Sequence, residues 1–203
     1  MPSLFPLFLK LEGRRCLLVG AGLIATQKIE SLLSAGAHVH IIAPRADDVI
    51  RELVREGRVC WSQREFRASD LDQVVLVVAA TSDPGVNETV FREARSRGVL
   101  CNAVDEPERC DFYYPAVVRR GDLQIAISTA GQSPALAQRI RRELEAQFGE
   151  GYSDWLRWLA GVRALFFRRA MDATQRREAL HRIASGEVYE RFTSARKRKE
   201  VER

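Results

Sequence analysis

The stretch Leu17-Leu18-Val19-Gly20-Ala21-Gly22-Leu23-Ile24-Ala25-Thr26-Gln27-Lys28 constrains the fold more than any other part of the chain. It passes from an apolar strand through a glycine turn directly into an amphipathic helix, the arrangement that cradles a pyrophosphate. Gly20 permits the sharp turn, Gly22 removes a side chain that would hold phosphates off, and Ala25 lets the helix lie close on its strand. The helix then directs its free N–H groups and the positive end of its dipole at the anion. A purely structural glycine turn fits the same residues, so the surroundings have to decide. Cys16 to Val19 suits a buried parallel strand, and Ile24, Lys28, Ile29, Leu32 and Leu33 recur at helical spacing until Gly36. A second strand, His38 to Ala43, follows at once. This βαβ unit implies dinucleotide binding through Gly20, Ala21, Gly22, Leu23 and Ile24.

The same alternation continues. Asp47 to Glu56 reads as a helix closed by Gly57, Val59-Cys60-Trp61 as strand three, and Arg64 to Leu71 as a polar crossover. Val74 to Ala80 is the most apolar run and is expected to be the central strand. Asn87 to Arg97 forms the next crossover helix, with Val86, Val90, Phe91 and Ala94 on one face, and Gly98 stops it before strand five, Val99 to Val104. Strand and helix in alternation mean a parallel, Rossmann-type α/β sheet with right-handed crossovers and a ligand beyond its carboxyl ends. The residues just past those ends are Gly20 to Gly22, Pro44-Arg45, Ala80-Thr81 and Val104-Asp105, which should converge on one rim. Leu4, Phe5, Leu7, Phe8 and Leu9, ahead of the first strand, form an apolar lead-in expected to add an edge or capping segment.

The pattern then changes. Phe112 to Val118 and Leu123 to Ser128, about the turn Arg119-Arg120-Gly121-Asp122, read as a β-hairpin. Thr129 to Gln132 is a loop, and Ser133-Pro134 opens a helix with Ser133 as N-cap, Pro134 at its first position, and Leu136, Ile140 and Leu144 on one face. From Tyr152 onward the chain is helical. Trp and Phe at helical spacing fit a ligand cavity, but core or subunit contact is the commoner use. A narrow helical tail leaves apolar surface bare, which favours a homodimer. The expected organisation is a dinucleotide-binding domain over 1–112, a dimerisation and substrate region of hairpin and helix over 113–150, and a helical C-terminal domain over 151–203.

Length and composition exclude several classes. With 203 residues and 46% hydrophobic content the chain buries a real core, and no apolar run approaches the roughly 20 residues that span a bilayer. A soluble, cytoplasmic protein with no membrane partner is expected. Cys16, Cys60, Cys101 and Cys110 show no C-x-x-C spacing and read as reduced thiols; a zinc site at Cys101 and Cys110 would need a His or cysteine beside them, and neither has one. Net charge is +5, carried by the tail: 13 Lys and Arg stand against 7 Asp and Glu from Gly151 onward, and 19 against 20 before it. The excess suits an acidic partner. The terminal Arg196-Lys197-Arg198-Lys199 run lacks interleaved aromatics, so no specific nucleic-acid binding is expected.

Four motifs together resemble one family. Gly-Ala-Gly-x-x-Ala-x-x-Lys at 20 to 28, Ala-Ala-Thr-x-Asp at 79 to 83 with Asn87 soon after, Cys-Asn-x-Val-Asp at 101 to 105, and Ser-Thr-x-Gly-x-Ser-Pro at 128 to 134 are similar to the precorrin-2 dehydrogenases, the N-terminal module of siroheme synthase. With no methyltransferase domain following, the chain resembles the short, stand-alone form. The resemblance implies NAD-dependent oxidation of precorrin-2 to sirohydrochlorin, with ferrous iron inserted as well by some members. It implies a polycarboxylate tetrapyrrole substrate, which would suit the basic tail and the helix opening at Ser133.

Within that resemblance Asp105 is the candidate catalytic carboxylate, because oxidising the macrocycle also releases a proton. Asp105-Glu106-Pro107-Glu108 is equally a good turn sequence, so a strand-end aspartate capping a turn fits too. Pro44, Arg45, Ala80 and Thr81 join the glycine turn as cofactor contacts; Ser128, Gly131 and Ser133 are candidates for substrate binding, while a strand-end hydroxyl satisfying the backbone fits Ser128 as well. Arg45 after the second strand favours the extra phosphate of NADP, where an acid would favour NAD; the resemblance implies NAD. A non-enzymatic NAD(P)-binding redox sensor needs the glycine turn but neither Asp105 nor the Ser128 to Ser133 loop.

Overall fold

The protein is described here from a computed structural model that covers residues 4–169 and 171–201. By internal contacts the chain divides into two compact units after Tyr114.

The first unit is a five-stranded parallel sheet. In chain order its elements are β1 (Arg15–Val19), α1 (Leu23–Ser34), β2 (His38–Ile42), α2 (Asp48–Arg55), β3 (Cys60–Ser62), β4 (Val74–Ala79), α3 (Pro84–Ser96) and β5 (Leu100–Ala103). The spatial order is β3-β2-β1-β4-β5. The apolar run Val74 to Ala80 is therefore an interior strand, but β1 holds the middle, paired with both β2 and β4. After β3 the chain crosses back to the other side of β1, so consecutive crossovers leave β1 in opposite directions. That reversal opens a crevice between the loops after β1 and β4, where such sheets bind ligands.

Alternate residues of β1 enter two separate cores. Cys16 and Leu18 pack with Ile29, Ile41 and Ile50, whereas Leu17 and Val19 pack with Val77, Val90 and Ala94. Both faces are covered, which is why these strands read as continuous apolar runs. Leu17 and Leu18 are fully buried, and each adds about 1.5–3 kcal/mol by leaving water.

The outer side of β5 is closed by a returning segment. Asn102 bridges to Cys110, and Asp111 both donates its N–H to Cys101 O at 2.8 Å and accepts the Cys101 N–H at 2.9 Å. The lead-in residues form no strand. Phe5 and Phe8 are 83% and 69% exposed.

All four thiols are free. Burial pushes the Cys16 thiol up to about 11 and the Cys101 thiol up to about 12, the latter also against Asp111 and Cys110. Since the thiolate is the reactive species, iodoacetamide at pH 8 should label exposed Cys60 first and half-buried Cys110 more slowly. Cys16 and Cys101 should label only after unfolding, as peptide mass mapping would report.

The second unit opens with a hairpin, β6 (Ala116–Arg120) and β7 (Leu123–Ile127), in register from Ala116↔Ile127 to Arg120↔Leu123. Its turn is only Gly121-Asp122, with Gly121 at φ +59°, shorter than the four residues the sequence suggests. Arg120 belongs to the strand because its guanidinium is held by main-chain carbonyls, Phe148 O at 2.7 Å and Glu145 O at 3.1 Å. Those carbonyls close α4 (Pro134–Gln147), followed by α5 (Gly151–Arg168), α6 (Ala173–Ile183) and α7 (Gly186–Val201). The aromatic residues of the tail pack on one another: Tyr152, Trp155 and Tyr189 have ring centroids 4.3–5.6 Å apart, and Trp158 meets Phe192 at 5.6 Å. The basic run at 196–199 lies on α7, and its side chains from 197 onward fall outside the described residues. Among the described residues no helix is long and apolar enough to cross a membrane.

Candidate functional site

The two glycines after β1 have different reasons for being glycine. Gly20 has φ +104°, and a Cβ there would lie 2.3 Å from Ala80 O. It sits between the strands on either side, its N–H donating to Ile42 O at 2.9 Å while Ala80 N–H donates to Val19 O at 2.8 Å. Gly22 has an ordinary φ of −95°, and a Cβ there would meet nothing within 4 Å. The protein itself does not require that glycine, so close approach by a ligand is what it leaves room for. Gly22 is the N-cap of α1, no side chain caps the helix, and the first turn carries no acid. Its N–H groups and dipole are thus available to an anion, and a dinucleotide pyrophosphate fits the cradle.

One open crevice of about 1130 Å³ runs along the carboxyl ends of β1, β2, β4 and β5. The residues expected to contact a dinucleotide, Gly20 to Ile24, Pro44, Arg45, Ala80 and Thr81, all border it, and so does Asp105. The chain also brings Arg64, Glu65 and Phe66 there from the loop after β3, which periodicity alone does not reveal. Arg64 is anchored, its guanidinium meeting Asp70 at 2.6 and 2.8 Å. Burial would raise the Asp70 carboxyl, but Arg64 and the Arg67 N–H prevail and hold it below its usual value. Nearby His40 Nε2 meets Ser62 Oγ at 2.9 Å; burial, then Arg15, lowers that imidazole. After β2 no acid borders the crevice. Arg45 stands there exposed, with no carboxylate partner among the described residues.

The opposite wall is formed by the loops after β4 and β5. Asp83 caps α3, accepting from Gly85 N–H at 2.8 Å and Val86 N–H at 3.3 Å. Thr81 is held by Asn87, a buried residue of α3 whose amide also reaches Glu106. Asn87 falls on the same helical face as Val90 and Ala94, and a polar residue on a buried stripe is the signal that marks it. Asp105 is exposed at φ +61°, a left-handed backbone. Such a position costs about 1 kcal/mol even for aspartate, which tolerates it better than most residues. Its carboxylate takes no hydrogen bond or ion pair from the described residues. Lys28 lies away from this wall, its Nζ 4.3 Å from the Tyr114 ring centroid.

In the second unit, Ser128, Gly131 and Ser133 share one loop. Ser128 Oγ accepts the Ala130 N–H at 3.1 Å, and Ser133 Oγ accepts the Leu136 N–H at 3.3 Å as the expected N-cap. Thr129, the second residue of the same motif though not among the candidate substrate contacts, accepts the Ser133 N–H at 3.2 Å. Both serine oxygens act as acceptors, leaving their O–H protons for another group. Ala130 and Gly131 adopt positive φ, +50° and +78°, so this loop is also held in an uncommon conformation.

Residues 7–116 match a NAD(P)-binding family, and residues 120–147 match the central domain of sirohaem biosynthesis proteins. The siroheme synthase of Azotobacter vinelandii is 40% identical over 189 residues, 93% of this chain and 41% of that protein. The siroheme synthase of Pseudomonas entomophila is 40% identical over 190 residues, 92% of this chain and 40% of that one. The chain thus spans about two fifths of the length of these curated relatives. Among solved structures, SirC, a precorrin-2 dehydrogenase, matches with a TM-score of 0.77 at 30% identity over 92% of both chains.

Proposed function

The chain belongs to the family of the precorrin-2 dehydrogenases and the corresponding module of siroheme synthases, and we propose that it oxidises precorrin-2 to sirohydrochlorin with NAD. The observation that carries this reading is the single crevice that has the Gly20–Gly22 turn on one wall and the free Asp105 carboxylate on another. When bound, the nicotinamide supplies the hydride acceptor. The N–H groups opening α1 hold the pyrophosphate, and the bare Gly22 admits it. The main chain around Pro44 would hold the ribose, and Thr81 would contact the nicotinamide end. Asp105 accepts the proton that leaves the macrocycle. Ser128, Gly131 and Ser133 receive substrate carboxylates with the N–H groups that open α4.

Ferrous iron would enter as a second substrate, with Asp105 taking the pyrrole N–H protons. Among the described residues no group of three His, Cys, Asp or Glu side chains is placed to hold a metal ion, so the macrocycle nitrogens are the ligands in this reading. Anaerobic incubation with precorrin-2 and NAD, then with ferrous iron, tests both steps. Two successive changes in the absorption spectrum are expected; one means oxidation alone, and none overturns the reading.

The choice of NAD over NADP turns on Arg45. A lone exposed guanidinium would favour a 2′-phosphate, yet Glu65 borders the same crevice and opposes it. Calorimetry should find NAD the tighter ligand. Arg45→Ala should weaken NADP by about tenfold and NAD by much less, the value of one charge-assisted contact.

We also infer a homodimer. Leu165 and Phe167 are 55% and 53% exposed, and the apolar lead-in is bare, more than a monomer usually leaves to water. Sedimentation should report twice the 23.0 kDa chain mass.

A further inference from the structure

We propose that Asn87 is a positioning residue for the oxidation: its side-chain amide joins the Thr81 loop to Glu106 and thereby fixes the turn that presents Asp105. The inference rests on the reading of Asp105 given above.

Asn87 is 4% exposed, and its side chain makes four hydrogen bonds. Its Oδ1 accepts from Thr81 Oγ1 at 2.8 Å and from the Thr81 N–H at 3.3 Å. Its Nδ2 donates to Thr81 O at 3.2 Å and to Glu106 Oε1 at 3.3 Å. The Thr81 N–H can only donate, which fixes the amide orientation independently. Only a side chain that accepts on one side and donates on the other fits between these partners, so neither aspartate nor leucine replaces it.

Glu106, the far end of this link, is gripped twice. Its second oxygen pairs with Arg109, which also meets Glu88 of α3 at 3.4 Å. The residue before Glu106 is Asp105, in its left-handed conformation. On the other side the chain is tied to β4 by Val104 N–H donating to Ala79 O at 2.9 Å. The turn carrying Asp105 is therefore held by strand pairing before it and by the Asn87 amide after it. Uncommon backbone states persist where the surroundings over-determine them. A buried asparagine serving the scaffold alone would need no charged partner on a solvent-facing turn. Here its two halves reach the two loops that flank the proposed hydride and proton transfers.

Asn87→Asp separates the halves: it keeps an acceptor for the Thr81 N–H and Oγ1 but sets a carboxylate oxygen against Glu106 and Thr81 O, the two groups that Nδ2 reaches. With precorrin-2 and NAD, kcat should fall about 10- to 100-fold, as misplacement of a reacting group does. NAD affinity by calorimetry should stay within about threefold, because the Thr81 N–H and Oγ1 keep their acceptor and the glycine turn is untouched. Amide hydrogen exchange at 104–106 should quicken. Adding Glu106→Gln puts a donor opposite the introduced carboxylate, and kcat should recover to within about threefold of wild type. In an Asp105→Asn background the Asn87 substitution should change the residual rate little.

Unchanged kcat and exchange in Asn87→Asp, absence of rescue by Glu106→Gln, or full additivity with Asp105→Asn would each overturn the proposal. If Asn87→Asp fails to fold, Glu106→Ala breaks the same bond from the loop side, and an unchanged kcat there overturns it equally. A wild-type chain that does not oxidise precorrin-2 overturns the functional reading and this inference together. An active wild type with indifferent variants overturns this inference alone.

Discussion

Asp105→Asn is expected to lower kcat for precorrin-2 oxidation by about 10²- to 10⁴-fold, the usual contribution of a positioned general base. The replacement is chosen for its backbone. Asp105 holds φ +61°, and asparagine tolerates that conformation as readily as aspartate does. The variant therefore removes the charge and leaves the turn. Alanine would add strain and confound chemistry with folding. NAD affinity should not change, since the glycine turn lies on the opposite wall of the crevice. Rapid mixing at saturating substrate reads kcat, and calorimetry reads the cofactor. Full turnover in this variant would remove the residue from the chemistry and leave the proton to another acceptor.

The second large effect divides the two glycines. Gly20→Ala places a methyl group 2.3 Å from a main-chain oxygen at φ +104°. Neither the oxygen nor the backbone can yield cheaply, and strain with overpacking should cost about 3 kcal/mol or more. For a chain of this length that is a fall of about 10 °C in Tm. Gly22→Val should leave Tm within a few degrees, because its side chain enters open space at an ordinary φ. Its effect should fall on the cofactor: losing contact with N–H groups of α1 weakens NAD on the order of 100-fold. Calorimetry beside thermal melting separates the two outcomes. A Gly22→Val chain that binds NAD like wild type would make the turn a structural one.

The parts of this molecule that could be read from sequence are those whose causes are local. The strand, turn and helix from Leu17 to Lys28 follow from an apolar run, a residue needing positive φ and a helical stripe, all within a dozen positions. Ser133 as N-cap and Pro134 behind it are equally local. Strand order was less legible, because the apolarity of Val74 to Ala80 reports burial and says nothing of which neighbour lies on either side. The hairpin turn came out too long because Arg120 is drawn into its strand by Phe148 and Glu145, 28 and 25 residues away. Arg64 reads as polar crossover until Asp70 fixes it against the crevice. Asn87 carried a visible signal, a polar residue on the stripe of Val90 and Ala94, but its partner Glu106 lies 19 residues on. The lead-in at Leu4 to Leu9 is apolar enough for a strand, yet the parallel sheet offers it only the three-residue margin of β3. β3 and β5 are the outermost strands, and the return at Cys110 and Asp111 already occupies β5.

That return segment determines how copies of the chain can meet. An unpaired border strand is a template on which another molecule can add its own, and sheets left so tend to polymerise. Here Asp111 saturates the outward amide and carbonyl of Cys101, and the opposite border is only three residues long. Neither margin offers a ladder to extend. Copies of the chain cannot then grow by lengthening this sheet, and the hairpin of the second unit, paired only with itself, and exposed side chains are the surfaces left for them to meet.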